Sequence, residues 1–407
     1  MSGVAARARR AASSGVKKSI GGITSHCTFV ARPVRKFCLR KRESTFLRIL
    51  FGPDHDARHI QPDVPGGYEW WYFDAISDDA RFTLVVIYFL GSPMSPYYKA
   101  VATGGKPTPD QWCGVFTSLH ENVDGRLRER AYAYNLYRGG DFSDVHAGVS
   151  TGGSTLESRR SEAGAAAAWS LRVEEPCLWR GRVSVQIDFA ASSTPLAAEA
   201  GVDEVADRSA VSTDDHTWVC VAPCCRVTGV VSPPGGEPIP FTGAGYHDHN
   251  FGALPFHGID AWYWGRAHFA QGDIGAAVVY HVAAVTGVAA DQTNVFLFDR
   301  QGSLLEAARP TARLTAPTRN AYGFHHARVV EWRTMAGDTG SMAFEVGNGI
   351  FSEGPFYRRL PMQISLHPPT PKAPGISGLG IGEVFRPGGL SGPIASRAMW
   401  SRMRRGS

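Results

Sequence analysis

Hydrophobic residues in this chain fall into short runs. The longest, Phe82 to Leu90, is strand-sized and far below the ~18–20 residues that cross a membrane. Before it, Glu69-Trp-Trp-Tyr-Phe-Asp74 is aromatic and extended, and Ser77-Asp-Asp-Ala80 between them reads as a turn. Together they predict a hairpin. The same alternation predicts strands over 112–119, 126–136, 168–174, 183–189, 216–221, 224–231, 241–248, 260–269, 274–285, 292–299, 326–333 and 340–347. Turns punctuate them at Asp124-Gly125, Gly139-Gly140, Pro233-Pro-Gly-Gly236 and Gly337-Asp338. Many short strands separated by turn residues predict an all-β sandwich or barrel. The Gly/Ser/Ala-rich stretches 147–168 and 190–210 read as long loops. From Pro361 the chain reads as irregular, up to a short terminal helix near 393–404.

Composition agrees with this pattern. With 46 Gly and 26 Pro among 407 residues, a helical bundle is excluded, because both residues break helix interiors. Ten Trp, 13 Tyr and 21 Phe fit strands and an aromatic pocket. Seven Cys without a Cys-x-x-Cys pair argue against a disulfide framework or zinc module, and for a reducing compartment. The net charge of +5 is a property of one end: the first 50 residues hold 12 Lys/Arg and a single acid, Glu43. The remainder is mildly acidic, which does not describe a nucleic-acid-binding surface. The basic segment lacks the apolar core of a secretory signal. It reads as an organelle transit segment, an arm for anionic lipid, or an extension with no role. Localisation is accordingly expected to be cytoplasmic or organellar with peripheral membrane contact, and not secreted.

Three segments carry candidate chemistry: Asp214-Asp-His-Thr-Trp-Val219, Gly243-Ala-Gly-Tyr-His-Asp-His-Asn-Phe-Gly252 and Asp260-Ala-Trp-Tyr-Trp-Gly-Arg-Ala-His268. Side chains two apart on a strand share a face. His216 then points with Trp218, Tyr246 with Asp248 and Asn250, and Trp262 with Trp264 and Arg266. If these faces line one cavity, it joins an acid, an imidazole, a phenol and several indoles. Each group also has a purely structural reading. Asp248 can pair with Arg266, Trp262 and Trp264 can be core, and His216 can be a satisfied buried histidine. His247, Asp248, His249 and nearby His257 invite a metal reading, but alternation sets the two flanking histidines opposite Asp248 and no His-Glu-x-x-His spacing accompanies them. No metal site is expected. Phosphate loops, a Gly-x-Gly-x-x-Gly after a strand and a Gly-x-Ser-x-Gly elbow are all missing from the sequence.

At these segments the chain resembles the carotenoid 1,2-hydratase (hydroxyneurosporene synthase) family, from about Gly66 to the end. The marks are Glu69-Trp-Trp-Tyr-Phe-Asp-Ala75 with Ser77-Asp-Asp79, Ser92-Pro-Met-Ser-Pro-Tyr-Tyr98 and His216-Thr-Trp218 leading into Ala222-Pro-Cys224. Gly245-Tyr-His-Asp-His-Asn250, Trp262-Tyr-Trp264 with Arg266, and Pro355-Phe-Tyr357 complete them. The resemblance implies two consecutive lipocalin-like β-domains with a site near their junction. By motif it implies catalytic roles for His216, Trp218, Tyr246 and Asp248, the residues that alternation also selects. Trp262, Trp264, Arg266, Asn250 and Trp71 are the expected substrate-binding residues. The domain reading is a basic extension over 1–60, β-domains over 61–240 and 241–370, and a Pro/Gly-rich tail over 371–407.

The chemistry so implied is hydration of a terminal C=C bond of an acyclic carotenoid or related isoprenoid, without a cofactor. Asp248, kept protonated by an apolar site, would protonate the alkene. Aromatic faces would stabilise the tertiary cation, and His216 would orient water and take its proton. A direct Arg266–Asp248 contact would undermine this by favouring the carboxylate. Two other classes stay open: a pericyclase or isomerase of a polyene or terpenoid, and a non-catalytic lipid or isoprenoid carrier.

Overall fold

A computed structural model describes residues 47–159, 167–178, 181–192, 216–253, 256, 258–286, 290–334, 337–344, 349–367 and 375–406. The strands in chain order are β1 Leu47–Phe51, β2 Gly67–Ser77, β3 Phe82–Leu90, β4 Cys113–Val123, β5 Arg126–Tyr137, β6 Asp141–Phe142, β7 Gly148–Thr151, β8 Ser154–Arg159, β9 Ala168–Pro176, β10 Arg182–Ala191, β11 His216–Ser232 and β12 Ile239–Ala253. They continue with β13 Ile259–His268, β14 Ile274–Ala284, β15 Gln292–Asp299, β16 Leu304–Ala308, β17 Thr311–Arg319, β18 His325–Arg333, β19 Thr339–Phe344, β20 Ser352–Glu353, β21 Tyr357–His367, β22 Ile376–Phe385 and β23 Arg404–Arg405. Two short helices, α1 Pro96–Ala102 and α2 Pro393–Trp400, accompany them. The all-β expectation holds.

The strands form two curled sheets. The first runs β23-β5-β4-β3-β2-β12-β11-β10-β9-β8-β7-β6, with β1 parallel to β11. The second runs β16-β15-β14-β13-β22-β21-β19-β18-β17, with β20 on β21. Strand alternation divides the apolar residues into three layers. In β3, Leu84, Val86, Tyr88 and Leu90 fill the inside of the first sheet, whereas Val85, Ile87 and Phe89 face the second. In β13, Ala261 and Tyr263 fill the inside of the second sheet, whereas Trp262 and Trp264 face the first. A strand covered on both faces reads as a continuous apolar run, which is why β3 is buried at every position.

Several expectations change. The sequence places residues 47–60 in the basic extension, but β1 is built onto β11, and Asp56 and Ile60 are buried. The rest of that extension, 1–46, lies outside the described residues, and so does the membrane contact assigned to it. The strands expected over 216–221 and 224–231 are one strand, β11, with register shifts at Ala222 against β12. The strand that opens the expected second domain, β12, pairs with β2 and β11 in the first sheet. The expected loop over 147–168 contains β7 and β8. Most of the 190–210 loop falls outside the described residues.

The largest change lies after Pro361, where β21 and β22 replace irregular chain. Gly378, Gly380 and Gly382 alternate along β22. A Cβ at Gly380 would stand 1.8 Å from the Arg266 carbonyl oxygen, and one at Gly378 would stand 2.6 Å from that of His268. These glycines let β22 approach β13 closely; they do not mark turns. The terminal helix appears as α2, close to its expected place. Among the described residues, no helix is long and apolar enough to cross a membrane.

Candidate active site

Between the two sheets lies a partly open cavity with an empty volume of about 300 Å3. The first sheet contributes Trp70, Tyr72, Trp218, Asp248 and Asn250, and the second contributes Trp262, Trp264, Tyr280 and Glu383. Cross-strand register explains the first set, because Trp70 pairs with Asn250 and Tyr72 with Asp248 across β2 and β12. Trp218 pairs with Asn250 across β11 and β12. Directly opposed residues share a face. The register shift in β11 falls immediately beside Cys220, the partner of Asp248. Bulges of this kind re-aim side chains next to sites.

Asp248 is the polar centre. Its Oδ2 accepts from Trp218 Nε1 at 3.0 Å and from the Tyr246 hydroxyl at 3.0 Å, and its Oδ1 accepts from Asn250 Nδ2 at 2.8 Å. Burial disfavours its charged form and pushes the carboxyl up to about 8. The donations from Trp218 and Tyr246 oppose this, while the Glu383 and Asp74 charges reinforce it. With two donors already on Oδ2, the proton of the neutral acid belongs on Oδ1. Arg266 pairs with Asp74, not with Asp248, so the guanidinium that would have stabilised an Asp248 carboxylate is engaged elsewhere.

His216 lies one layer behind the lining. Its ring stacks on Trp70 at 5.5 Å and on Trp262 at 5.7 Å, and Nδ1 meets the Tyr68 hydroxyl at 3.0 Å. Burial holds its imidazole down at about 3, so it is neutral, and Asn250 is the polar side chain beside it. Its Nε2 is buried without a hydrogen bond of normal geometry among the described residues.

Of the nine site residues expected from sequence, Trp218, Asp248, Asn250, Trp262 and Trp264 line the cavity. Tyr246 and His216 support it from behind, and Arg266 is committed to Asp74. Trp71 does not belong to the site. It pairs with His249 and points into the first sheet, where its indole donates to the Asp56 carbonyl at 3.0 Å and stacks on His249 at 4.6 Å. The strand alternation that places Trp70 and Tyr72 in the cavity excludes Trp71. His247 and His249 lie on that opposite face as expected, bound to Asp56 at 3.0 Å and Glu69 at 2.7 Å. Asp214 and His257 lie outside the described residues.

Sequence reasoning missed Tyr68, Trp70, Tyr72, Tyr280 and Glu383. The parity of Asp248 could have found Trp70 and Tyr72 once β2 and β12 were known to pair. Glu383 was hidden in the glycine-rich segment read as irregular.

The fold and site define a class: a paired lipocalin-like β-protein whose aromatic cavity, set between two sheets, is headed by a buried carboxyl. Residues 181–370 match the model of the family described as carotenoid hydratase CrtC. In sequence the chain is similar to the carotenoid hydratase family. It is 28% identical over 338 residues to a protein of Chlorobaculum tepidum named hydroxyneurosporene dehydrogenase, covering 75% of this chain and 79% of that one. It is 28% identical over 292 residues to the acyclic carotenoid 1,2-hydratase of Thiocapsa roseopersicina, covering 69% and 64%. With the enzyme of that name from Rubrivivax gelatinosus the identity is 31% over 234 residues, covering 55% and 50%. The chain thus spans half to four-fifths of these relatives' lengths. Among solved structures, an AttH-type protein of Nitrosomonas europaea matches with a TM-score of 0.52 at 13% identity, over 80% of this chain and 94% of that one. Kievitone hydratase of Nectria haematococca matches with a TM-score of 0.50 at 11% identity, over 83% and 98%. At these identities the structural matches speak for the fold alone.

Proposed function

We propose that this protein is a hydro-lyase that adds water across a terminal C=C bond of an acyclic carotenoid or related isoprenoid, using its own side chains as acid and base. The observation that carries the reading is the buried Asp248 carboxyl at the wall of an aromatic cavity, away from Arg266 and pushed up to about 8 by that burial. An isolated alkene is a weak base, and protonating it takes an acid held next to it away from bulk water. The Asp248 proton on Oδ1 passes to the terminal-bond carbon that leaves the cation tertiary, and the π pair becomes the new C–H bond. The faces of Trp70, Trp218, Trp262, Trp264, Tyr72 and Tyr280 surround that cation. A desolvated cation–π contact is worth about 2 kcal/mol.

Water then forms the C–O bond, and its proton passes through a second water to His216 Nε2, one layer behind the lining. In this reading His216 carries its own proton on Nδ1, donated to the Tyr68 oxygen, which leaves Nε2 as the acceptor. Asp248 holds a proton far more tightly than His216, so the proton returns to Asp248 and the acid is restored. The site is partly open, so the end of an isoprenoid chain enters it. The rest of the substrate therefore extends through the open side.

The test is turnover by the purified protein of a detergent-solubilised acyclic carotenoid in heavy-oxygen water. The expected product is one water heavier and carries one labelled oxygen. A product of unchanged mass would replace hydration with cyclisation or isomerisation.

A further inference from the structure

The cavity contains a second acidic side chain. Glu383 stands on β22, opposite Trp264 of β13 and Arg359 of β21. Arg359 Nε and Nη2 both meet its Oε1 at 2.7 Å, which leaves Oε2 outside that ion pair. The Arg359 guanidinium is spread over the rings of Tyr72, Phe116 and Tyr357, at 5.3, 5.2 and 5.6 Å. The Glu383 side chain retains 13% of its exposure and that of Arg359 only 3%. The anion is thus at the cavity wall and the cation behind it. A hydrocarbon substrate offers an anion nothing to bind, and a buried ion pair is no more stabilising than apolar residues of the same volume. A wall carboxylate among indoles makes physical sense where positive charge develops during the reaction.

We propose that Glu383 is a further catalytic residue, the counter-charge for the carbocation formed in this cavity. It transfers no proton. Its carboxylate stands against the developing cation, while Arg359 fixes its position. The inference rests on the hydration reading only in that a cation must form.

The test uses a cation mimic in the Asp248→Asn protein, so that Glu383 is the one carboxylate left in the described lining. The probe is the N,N-dimethyl tertiary amine of a geranyl chain, protonated at neutral pH. The control is the hydrocarbon with carbon in place of nitrogen. Quenching of the cavity tryptophans reports binding. The amine should bind about a hundredfold more tightly than the hydrocarbon, the strength of a charge-assisted contact in a dry site. Adding Glu383→Gln should abolish that preference. If this variant does not fold, Arg359→Met added to it removes the orphaned charge, with the same expectation. A preference that survives loss of Glu383, or none while Glu383 is present, overturns the proposal. Turnover by the unaltered protein separates the two claims. Water addition without an amine preference overturns the role of Glu383 alone. A Glu383-dependent preference without water addition upholds that role and overturns hydration.

Discussion

Replacing Asp248 with Asn should remove activity and at the same time stabilise the fold, in a way that depends on pH. In the folded protein burial keeps the Asp248 carboxyl protonated up to about 8, from an ordinary value of 3.8. Between those values the folded state holds a proton that the unfolded chain has released. A raised carboxyl therefore makes stability fall as pH rises across this window. At about 1.4 kcal/mol for each pH unit, the penalty from this group is about 4 kcal/mol at pH 7 and about 2 kcal/mol at pH 5. Asn is neutral in both states and escapes it. Its amide oxygen can still accept from Trp218 and Tyr246, while Asn250 must reverse its own amide, an adjustment of about 1 kcal/mol. Urea unfolding followed by tryptophan fluorescence at pH 5, 6, 7 and 8 would measure both proteins. The variant's advantage should widen with each step. Parallel curves for the two proteins across this range would refute a protonated Asp248.

Three further outcomes follow from the same geometry. Tyr246→Phe removes a donor that favours the Asp248 carboxylate, so the alkaline fall in turnover should move above its expected midpoint near 8, with about a tenfold loss of rate. A pH–rate profile checks it, and an unmoved limb would detach Tyr246 from the acid. His249→Ala removes the imidazole between the buried Glu69 and Asp56 carboxylates, leaving them the His59 and Ile60 amides and His247, and should lower stability by about 3 kcal/mol in urea. Burial lowers the imidazole of His249, but the Glu69 and Asp56 carboxylates that accept from it win and raise it to about 9. Its stabilisation is therefore complete below 6.5 and is lost as pH rises through about 9. Hydrogen exchange of residues 53–60, which the cluster holds, should accelerate above that pH. Unchanged protection there would show that the cluster does not secure this segment.

Much of the architecture was legible because strand alternation is a local property. Trp262 and Trp264, or Tyr246 and Asp248, announce a shared face with no knowledge of their partners. Which face becomes the cavity is not local. Trp71 and Trp70 are equivalent in the sequence, and only the pairing of β2 with β12 sends one inside the first sheet and the other to the site. Glu383 was obscured for another reason. Gly380 and Gly382 around it read as turn residues, yet they answer to the close approach of β13 and the ring of Phe344. β17 escaped notice because Thr311–Arg319 is a largely exposed edge strand carrying Pro317, where no core imposes alternation. β1 was masked by the basic residues that precede it, although Leu47 and Ile49 pack between the sheets.

The most direct measurement of the central claim is made in cells that accumulate lycopene or neurosporene. The unaltered chain and its Asp248→Asn variant would each be expressed, and the extracted pigments weighed by mass spectrometry. A pigment one water heavier with the first, and none with the folded second, is the predicted result. Unchanged pigments with both, or hydration that survives Asp248→Asn, would contradict the account.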